Sequence, residues 1–110
     1  NKPIFPGCEK KATEDDKFMC FNQEIMKHIG KNFEFPELAR QMGIQGKVYV
    51  NFVIEKNGKV SSVTIARGVD KLIDDEAMRV IKKLPTFIPA KQRGKPVRMQ
   101  YTVPINARLQ

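Results

Sequence analysis

Apolar and polar side chains alternate most regularly between residues 47 and 55. Val48, Val50, Phe52 and Ile54 alternate with Lys47, Tyr49, Asn51 and Glu55. Alternation with a period of two is typical of a β-strand that buries one of its faces. We therefore predict a half-buried first strand in this part of the chain.

Asn57-Gly58 follows this strand and predicts a β-hairpin, because both residue types tolerate positive φ in a tight turn. The second strand of the hairpin then extends to about Arg67. Its apolar residues change phase part-way along, which indicates a bulge near Ser61-Ser62.

A second long alternating segment ends the chain. Its apolar face consists of Val97, Met99, Tyr101, Val103, Ile105, Ala107 and Leu109. A hairpin followed by a right-handed helical crossover places this last strand beside the first. All three strands are then antiparallel, in the spatial order second-first-third.

Apolar residues at helical spacing predict two longer helices. The first covers about residues 14–29, with an N-cap at Thr13 and a C-cap at Gly30. The second follows an N-cap at Asp70 and ends before Pro85. The apolar faces of the two helices consist of Phe18, Phe21, Ile25 and Ile29, and of Ile73, Ala77, Val80, Ile81 and Leu84.

A short helix over residues 37–42 and an exposed, basic loop over residues 85–96 complete the predicted elements. The predicted fold class is α+β: a three-stranded antiparallel sheet with order 2-1-3, helices packed on one face, and an N-terminal helical extension. We expect residues 1–34 to form an arm and the first helix, and residues 35–110 to form the remaining domain.

Charge is distributed unevenly along the 110 residues, whose net charge is +8. Residues 1–76 hold equal numbers of basic and acidic side chains, whereas residues 77–110 hold eight basic side chains and no acid. Such a surface attracts nucleic acid, lipid headgroups or an acidic peptide, or it keeps a small domain soluble. Because Tyr101 is predicted to face the core, the sheet lacks the exposed rings of sequence-specific RNA-binding sheets. Any nucleic acid binding would therefore be driven by the phosphate backbone and depend steeply on salt, and we do not expect nucleic acid as the partner.

The sequence lacks the motifs of an enzyme. It contains no GxGxxG, GxxxxGK[ST] or GxSxG, and its single histidine has no flanking acid or nucleophile pattern. Cys8, Cys20 and His28 do not make a zinc-binding set. The longest uncharged apolar-rich stretch, Val48–Ile54, is far shorter than the about 20 residues of a membrane span. We predict a non-enzymatic protein without metal or cofactor.

The two cysteines allow two interpretations. Cys8 and Cys20 are reduced core residues if the protein is cytosolic, and they form one disulfide if it resides in an oxidising compartment. The residues by themselves leave both interpretations open.

A series of short motifs extends from Phe35 to Leu109. The motifs are Phe35-Pro36-Glu37-Leu38-Ala39, Gly43-Ile44-Gln45-Gly46-Lys47-Val48, Phe52-Val53-Ile54, Asn57-Gly58-Lys59-Val60, Arg67-Gly68, Phe87-Ile88-Pro89-Ala90-Lys91, Gly94-Lys95-Pro96-Val97 and Val103-Pro104-Ile105. In their order and spacing they resemble the C-terminal domain of TonB, the energy transducer of Gram-negative bacteria. Phe35 replaces the family's Tyr, and Phe87 lies where many members have Trp. The leader with Cys8 and Cys20 resembles the extension of Bacteroidetes-type homologues.

The resemblance implies a periplasmic binding domain of an inner-membrane-anchored protein. In this family the domain binds the TonB box, a short N-terminal peptide of a TonB-dependent outer-membrane transporter, and passes on proton-motive energy for substrate uptake. The implied partners are the transporter and, through an N-terminal part outside this sequence, the inner-membrane proton-channel complex. The resemblance also allows a homodimer. The alternative functions are a periplasmic interaction domain of a receptor-like protein and backbone-driven nucleic acid binding.

The resemblance also bears on the cysteines. Because the periplasm is oxidising, it implies a Cys8–Cys20 disulfide that pins the proline-rich arm onto the first helix.

The last strand is the predicted partner-binding edge. Pro104 has no N–H, so the even-numbered residues are those whose backbone groups can lack a ladder partner. The backbone groups of Arg98, Gln100 and Thr102 then face outward, and open edges of this kind serve β-augmentation. In the family the partner peptide pairs with this strand. The residues expected to flank the resulting groove are Phe33, Phe35 and Pro36.

Overall fold

Within residues 2–109, the part of the chain that the computed structural model describes, three helices and five strands follow one another. They are α1 (Glu14–Asn32), α2 (Glu37–Gln41), β1 (Gly46–Ile54), β2 (Val60–Arg67), α3 (Lys71–Lys82), β3 (Ala90–Gln92), β4 (Lys95–Val97) and β5 (Met99–Ala107). The three long strands form one antiparallel sheet in the order β2-β1-β5, and β3 pairs with β4. The predicted α+β class and 2-1-3 strand order are confirmed.

One hydrophobic core lies between the sheet and the helices. The buried side chains that form it are Phe21, Ile25, Ile29, Ala39, Val48, Val50, Phe52, Ile54, Ile73, Ala77, Val80, Ile81, Leu84, Phe87, Ile105 and Ala107. The four apolar even-numbered residues of β1, from Val48 to Ile54, are all in this set, as the alternation predicts. The N-terminal helix α1 contributes to the same core; the division of the chain after residue 34 stays a prediction.

Both predicted N-caps are present. The hydroxyl of Thr13 accepts the N–H of Asp16 at 3.0 Å, and the carboxylate of Asp70 accepts the N–H of Leu72 at 3.0 Å. Each bond satisfies one of the backbone N–H groups that a helix start leaves without a partner. The starts of α1 and α3 were therefore predictable from local chemistry.

The first hairpin has a longer loop than the predicted two-residue turn. Glu55 donates its N–H to the carbonyl of Lys59 at 2.9 Å and accepts the N–H of Gly58 at 2.8 Å. Of the turn residues, Gly58 has a positive φ of 84° whereas Asn57 does not. The Asn57 side chain instead accepts the N–H of Lys59 at 3.0 Å. The turn is thus a three-residue loop that needs glycine at one position.

The second strand is bulged, as its change of apolar phase predicts. Its pairing with β1 shifts register at two places, one between Asn51 and Val53 and the other between Tyr49 and Val50. Ser62 adopts a positive φ of 50° at the first of these shifts. A bulge leaves an extra residue unpaired and increases the local twist, so β2 is an irregular edge of the sheet.

The exposed loop predicted over residues 85–96 is wrong in its second half. Ala90–Gln92 and Lys95–Val97 form the antiparallel hairpin β3–β4, and Ala90 is buried. Arg93 and Gly94 both have positive φ, as a two-residue hairpin turn of the primed type requires. Three-residue strands rich in lysine carry too little alternation for the sequence pattern to reveal them.

The predicted C-cap at Gly30 is also wrong, because α1 continues to Asn32. Contacts with α3 stabilise its last turn. The imidazole of His28 bonds to the carbonyl of Val80 at 2.9 Å, and the Asn32 carbonyl accepts an N–H of Arg79 at 2.9 Å. Tertiary hydrogen bonds here satisfy a helix end that the sequence pattern places one turn earlier.

The N-terminal arm is held against the domain at three points. A disulfide joins Cys8 to Cys20 of α1, as the resemblance implies. Ile4 and Ile88 exchange two backbone hydrogen bonds of 2.9 and 3.0 Å. The ring of Phe5 packs edge-on against the ring of Phe87, a core residue, at a centroid distance of 5.3 Å. The arm therefore covers the segment that precedes the β3–β4 hairpin.

Candidate partner-binding edge

The orientation of the β5 backbone follows from that of β1. Glu55 directs its N–H toward Lys59 and hence toward the β2 side of the sheet. Because hydrogen-bonding groups of successive residues point to opposite sides of a strand, the even-numbered residues of β1 bond to β5. The β5 residues opposite them are Met99, Tyr101, Val103 and Ile105. The even-numbered residues of β5 therefore direct their N–H and C=O groups away from the sheet.

Pro104 fits this register. It lies directly opposite Tyr49, an odd-numbered residue of β1 whose backbone groups face β2. The ladder needs no N–H from β5 at this position, so proline is accommodated without the loss of a hydrogen bond. The pairing of β1 with β5 continues through all nine residues without a shift of register. The edge is consequently straight and regular.

The three predicted edge residues lie at the first half of this strand. Gln100 and Thr102 belong to β5 and have exposed side chains, and Arg98 immediately precedes the strand. Their side chains project from the face of the sheet that carries no helix. The hydroxyl of Thr102 donates to the side-chain oxygen of Asn51 on the neighbouring strand at 2.5 Å.

Arg98 forms an ion pair across the sheet. Its guanidinium donates two hydrogen bonds of 3.0 Å to the carboxylate of Glu55, which lies next to the end of β1. These bonds, with a further one from the hydroxyl of Ser61, hold the pKa of Glu55 below its usual range. An exposed pair of this kind contributes little to stability. It holds the Arg98 side chain over the sheet rather than beyond its edge.

The predicted groove residues lie at the other end of β5. Phe33 and Phe35, whose ring centroids are 6.4 Å apart, line a cleft of about 440 Å³. The remaining lining residues are Ile29, Gly30, Arg40, Ile105, Asn106, Ala107 and Arg108. Pro36 is not among them; its carbonyl accepts the N–H of Arg40 at the start of α2.

The six predicted residues therefore do not form one cluster. Gln100 and Asn106 are separated by six positions, about 20 Å along a strand. The edge residues and the aromatic cleft mark the two ends of one linear surface beside β5. An extended peptide of about seven residues is long enough to reach from one end to the other.

Two arginines at the cleft were not predicted as site residues. The guanidinium of Arg40 lies over the ring of Phe35 at 5.4 Å from its centroid, and Arg108 donates to the side chain of Asn106 at 3.1 Å. Asn106 and Arg108 are even-numbered, like Gln100 and Thr102. The alternation of the last strand therefore indicated that both lie on the same exposed face. Arg40 reaches the cleft only through the packing of α2.

The core-facing side of β5 is incompletely covered. Tyr101 and Val103 point toward the helices, yet both are only half-buried. The ring of Tyr101 contacts Phe21 of α1 at a centroid distance of 5.3 Å, and burial raises the pKa of its phenol. Residues at a sheet edge lose cover on the side where no further strand follows.

Between residues 2 and 109, no three His, Cys, Asp or Glu side chains lie close enough together to hold a metal ion. None of the helices in that range combines the length and apolarity that crossing a membrane requires.

Comparison with known proteins identifies the family. The profile of the Gram-negative bacterial TonB protein C-terminal family matches residues 31–109. The chain belongs to this family. Protein TonB of Pseudomonas putida is 29% identical over 76 residues, which cover 68% of this chain and 31% of that protein. The chain thus spans about a third of the length of this curated TonB relative.

Solved TonB C-terminal domains share the fold. Two NMR structures of the Helicobacter pylori TonB C-terminal domain superpose on the chain with TM-scores of 0.62 and 0.65, at 22% and 20% identity. The alignments cover 80% and 93% of this chain and 92% and 98% of the solved domains. TonB proteins are energy transducers and interaction proteins rather than enzymes, so membership supports the prediction of a non-enzymatic chain.

Proposed function

We propose that the chain is the periplasmic C-terminal domain of an inner-membrane-anchored TonB-type energy transducer. It binds the TonB box, an N-terminal peptide of an outer-membrane transporter, by adding the peptide as a fourth strand beside β5. The regular open edge of β5, in a domain of the TonB family, is the observation that carries this proposal. Strand addition of this kind uses main-chain hydrogen bonds for affinity and side-chain pockets for specificity.

The two edges of the sheet differ in their capacity to accept a strand. β2 has two register shifts and a residue with positive φ, Ser62, so its outward groups are irregularly spaced. β5 pairs with β1 without a shift and directs the backbone groups of Gln100, Thr102 and Asn106 outward; Pro104, between the last two, offers only its carbonyl. Bulges protect an edge from pairing, whereas a straight strand is a template for it. This asymmetry favours β5 as the binding edge.

The expected affinity is modest. The outward groups of β5 allow about four to six hydrogen bonds of roughly 1 kcal/mol each, from which the cost of association must be subtracted. A dissociation constant no better than about micromolar follows. Such an interaction suits a transducer that binds and releases its transporter repeatedly.

Two further partners are part of the proposal, one outside this chain and one that uses the same edge. We place the interaction with the inner-membrane proton-channel complex in an N-terminal part, because the chain spans about a third of its curated TonB relative. A second copy of the chain has the same edge, so a homodimer paired through β5 competes with the peptide. Dilution of the protein then favours peptide binding.

The test removes one outward N–H from the edge. Gln100 has an exposed side chain and an outward backbone, so Gln100→Pro deletes the N–H and leaves the core face unchanged. The matched control is Gln100→Ala, which changes the same side chain and keeps the N–H. We expect Gln100→Pro to weaken binding of a TonB-box peptide about tenfold by calorimetry, and Gln100→Ala to change it less than about twofold.

Two results contradict the proposal. One is a folded Gln100→Pro variant that binds the peptide as the wild type does. The other is a steep loss of affinity between about 50 and 200 mM salt together with tight binding of arbitrary duplex DNA, because that behaviour indicates phosphate neutralisation rather than strand addition.

A further inference from the structure

The surface of α1 is divided into three sides. Phe21, Ile25 and Ile29 are buried against the sheet. On one side of this buried stripe, His28 and Asn32 contact α3 through hydrogen bonds. A helix advances about 100° per residue, so the side opposite α3 carries the residues at positions 19, 22, 26, 30 and 33.

Two methionines on that opposite side are exposed. Met19 and Met26 are seven residues apart, two turns of helix, and have relative exposures of 59% and 49%. Gly30 and Phe33 continue the same side at the C-terminal end of α1. We call Met19 and Met26 the methionine flank of α1.

The methionine flank lies on the side of α1 that faces away from α3. Phe21 of α1 touches Tyr101 of β5, and Gly30 lines the same cleft as Ile105 to Arg108. α1 therefore runs along β5, while α3 packs over β1 and β2. Because α3 occupies one side of α1, the methionine flank is on the other side, toward the open edge of β5.

We propose that the methionine flank forms the upper wall of the peptide site and selects peptides with apolar residues at alternate positions. The inference rests on the proposed function, because it concerns the peptide that pairs with β5. Alternate side chains of an added strand point to the helix face of the sheet. There they would contact the half-buried Tyr101 and Val103 from the side and the methionine flank from above.

Methionine suits such a wall. Its unbranched, polarisable side chain adapts to partners of different shape, which is why methionine is frequent on binding surfaces that accept several ligands. The exposed area of Met19 and Met26 is left without cover by the rest of the described chain, and an added strand would bury part of it. Met42, which is 63% exposed immediately after α2 and does not line the cleft, provides a matched control.

The experiment uses two synthetic peptides of identical composition. In the first, valine and threonine alternate; in the second, the valines are grouped. NMR spectra of the methionine methyl groups and of the β5 amides are recorded during titration of the disulfide-bonded protein. We expect the alternating peptide to shift the β5 amides and the methyl groups of Met19 and Met26, with Met42 unchanged, and the grouped peptide to bind about tenfold more weakly.

Variants give the second measurement. Met19→Gln combined with Met26→Gln keeps helix propensity and side-chain length, and we expect it to weaken binding of the alternating peptide about tenfold, whereas Met42→Gln leaves the affinity unchanged. If the peptide shifts the β5 amides but neither methyl group, the inference is overturned and the proposed function stands. If the peptide shifts neither set of signals, the inference is overturned, and the Gln100→Pro test with the TonB-box peptide decides the proposed function separately.

Discussion

Phe87 donates its backbone N–H to the carbonyl of Gly58 at 2.8 Å, and its own carbonyl oxygen occupies the space of a Cβ on Gly58. The turn of the first hairpin is thereby docked on the segment that follows α3. Gly58 is consequently required twice: its φ of 84° favours glycine, and the neighbouring backbone excludes any side chain.

This double requirement predicts a large effect of Gly58→Ala. We expect a loss of at least about 3 kcal/mol in the free energy of unfolding, because strain at positive φ adds to the displacement of Phe87. Gly94→Ala is the matched control: its φ is 79°, but a Cβ there meets open space, so strain by itself costs about 1–2 kcal/mol. Urea denaturation measures both. Equal losses in the two variants would show that the contact with Phe87 contributes nothing to the free energy of unfolding.

The Cys8–Cys20 disulfide is expected to stabilise the folded chain. It joins residues 12 positions apart, and closing a loop of this size restricts the unfolded chain by about 3 kcal/mol. The double variant Cys8→Ala/Cys20→Ala should lose about this amount in urea denaturation, and wild-type protein in reductant should lose a similar amount. Thiol titration of the unfolded, unreduced protein should find no free thiol; two free thiols would contradict the bridge.

The orientation of the β5 backbone predicts that proline lowers the free energy of unfolding more at an odd-numbered position than at an even-numbered one. Val103→Pro removes an N–H that bonds to β1 and should lower the free energy of unfolding by about 3 kcal/mol, whereas Gln100→Pro removes an outward N–H and should cost less than about 1 kcal/mol. Thermal and urea denaturation of the two variants provide the comparison. The reverse order of stability would place the outward groups at the odd-numbered residues.

Glu76 is expected to make stability depend on acid pH. Burial raises the pKa of this carboxyl, but hydrogen bonds from Arg79 and from the N–H of Glu34 outweigh burial and hold the pKa below its usual range. A group with a lowered folded pKa stabilises the fold above its unfolded pKa, about 4.3, and that stabilisation is lost as pH falls through the folded value.

Glu76→Gln should therefore cost about 1–2 kcal/mol at neutral pH, and the difference from wild type should shrink as the pH falls below about 4. The exposed pair of Asp75 with Lys71 provides the control, since Asp75→Asn should cost less than about 0.5 kcal/mol. Unfolding curves recorded from neutral to acid pH measure both differences. A constant deficit of Glu76→Gln down to about pH 2 would contradict the role given to its charge.

Local chemistry determined much of this protein. The strict alternation around Val50, the bulge near Ser62 and the caps at Thr13 and Asp70 each depend on residues close together in sequence, and the structure agrees with all of them. The strand order follows from the hairpin and the handedness of one helical crossover. The motifs from residue 35 onward then indicated the family.

Tertiary structure decided where distant segments meet. α1 extends past Gly30 because His28 and Asn32 find partners on α3, some 50 positions away along the chain. The β3–β4 hairpin and the bridge from Ile4 to the segment before it join pieces too short to show a periodicity. Phe33 lies at the C-terminal end of β5, far from Gln100, because packing of α1 on the sheet sets its position.

Some features of the candidate site were likewise predictable from the sequence, and others depend on tertiary packing. The parity of β5 and the outward direction of its even-numbered residues follow from Pro104 and the strand order, and both were open to prediction. The cleft with Arg40 and the position of the methionine flank on the side of α1 away from α3 arise from the placement of helices on the sheet. Periodicity specifies which face of a helix is buried, but only the packed core specifies which strand its remaining sides overlook.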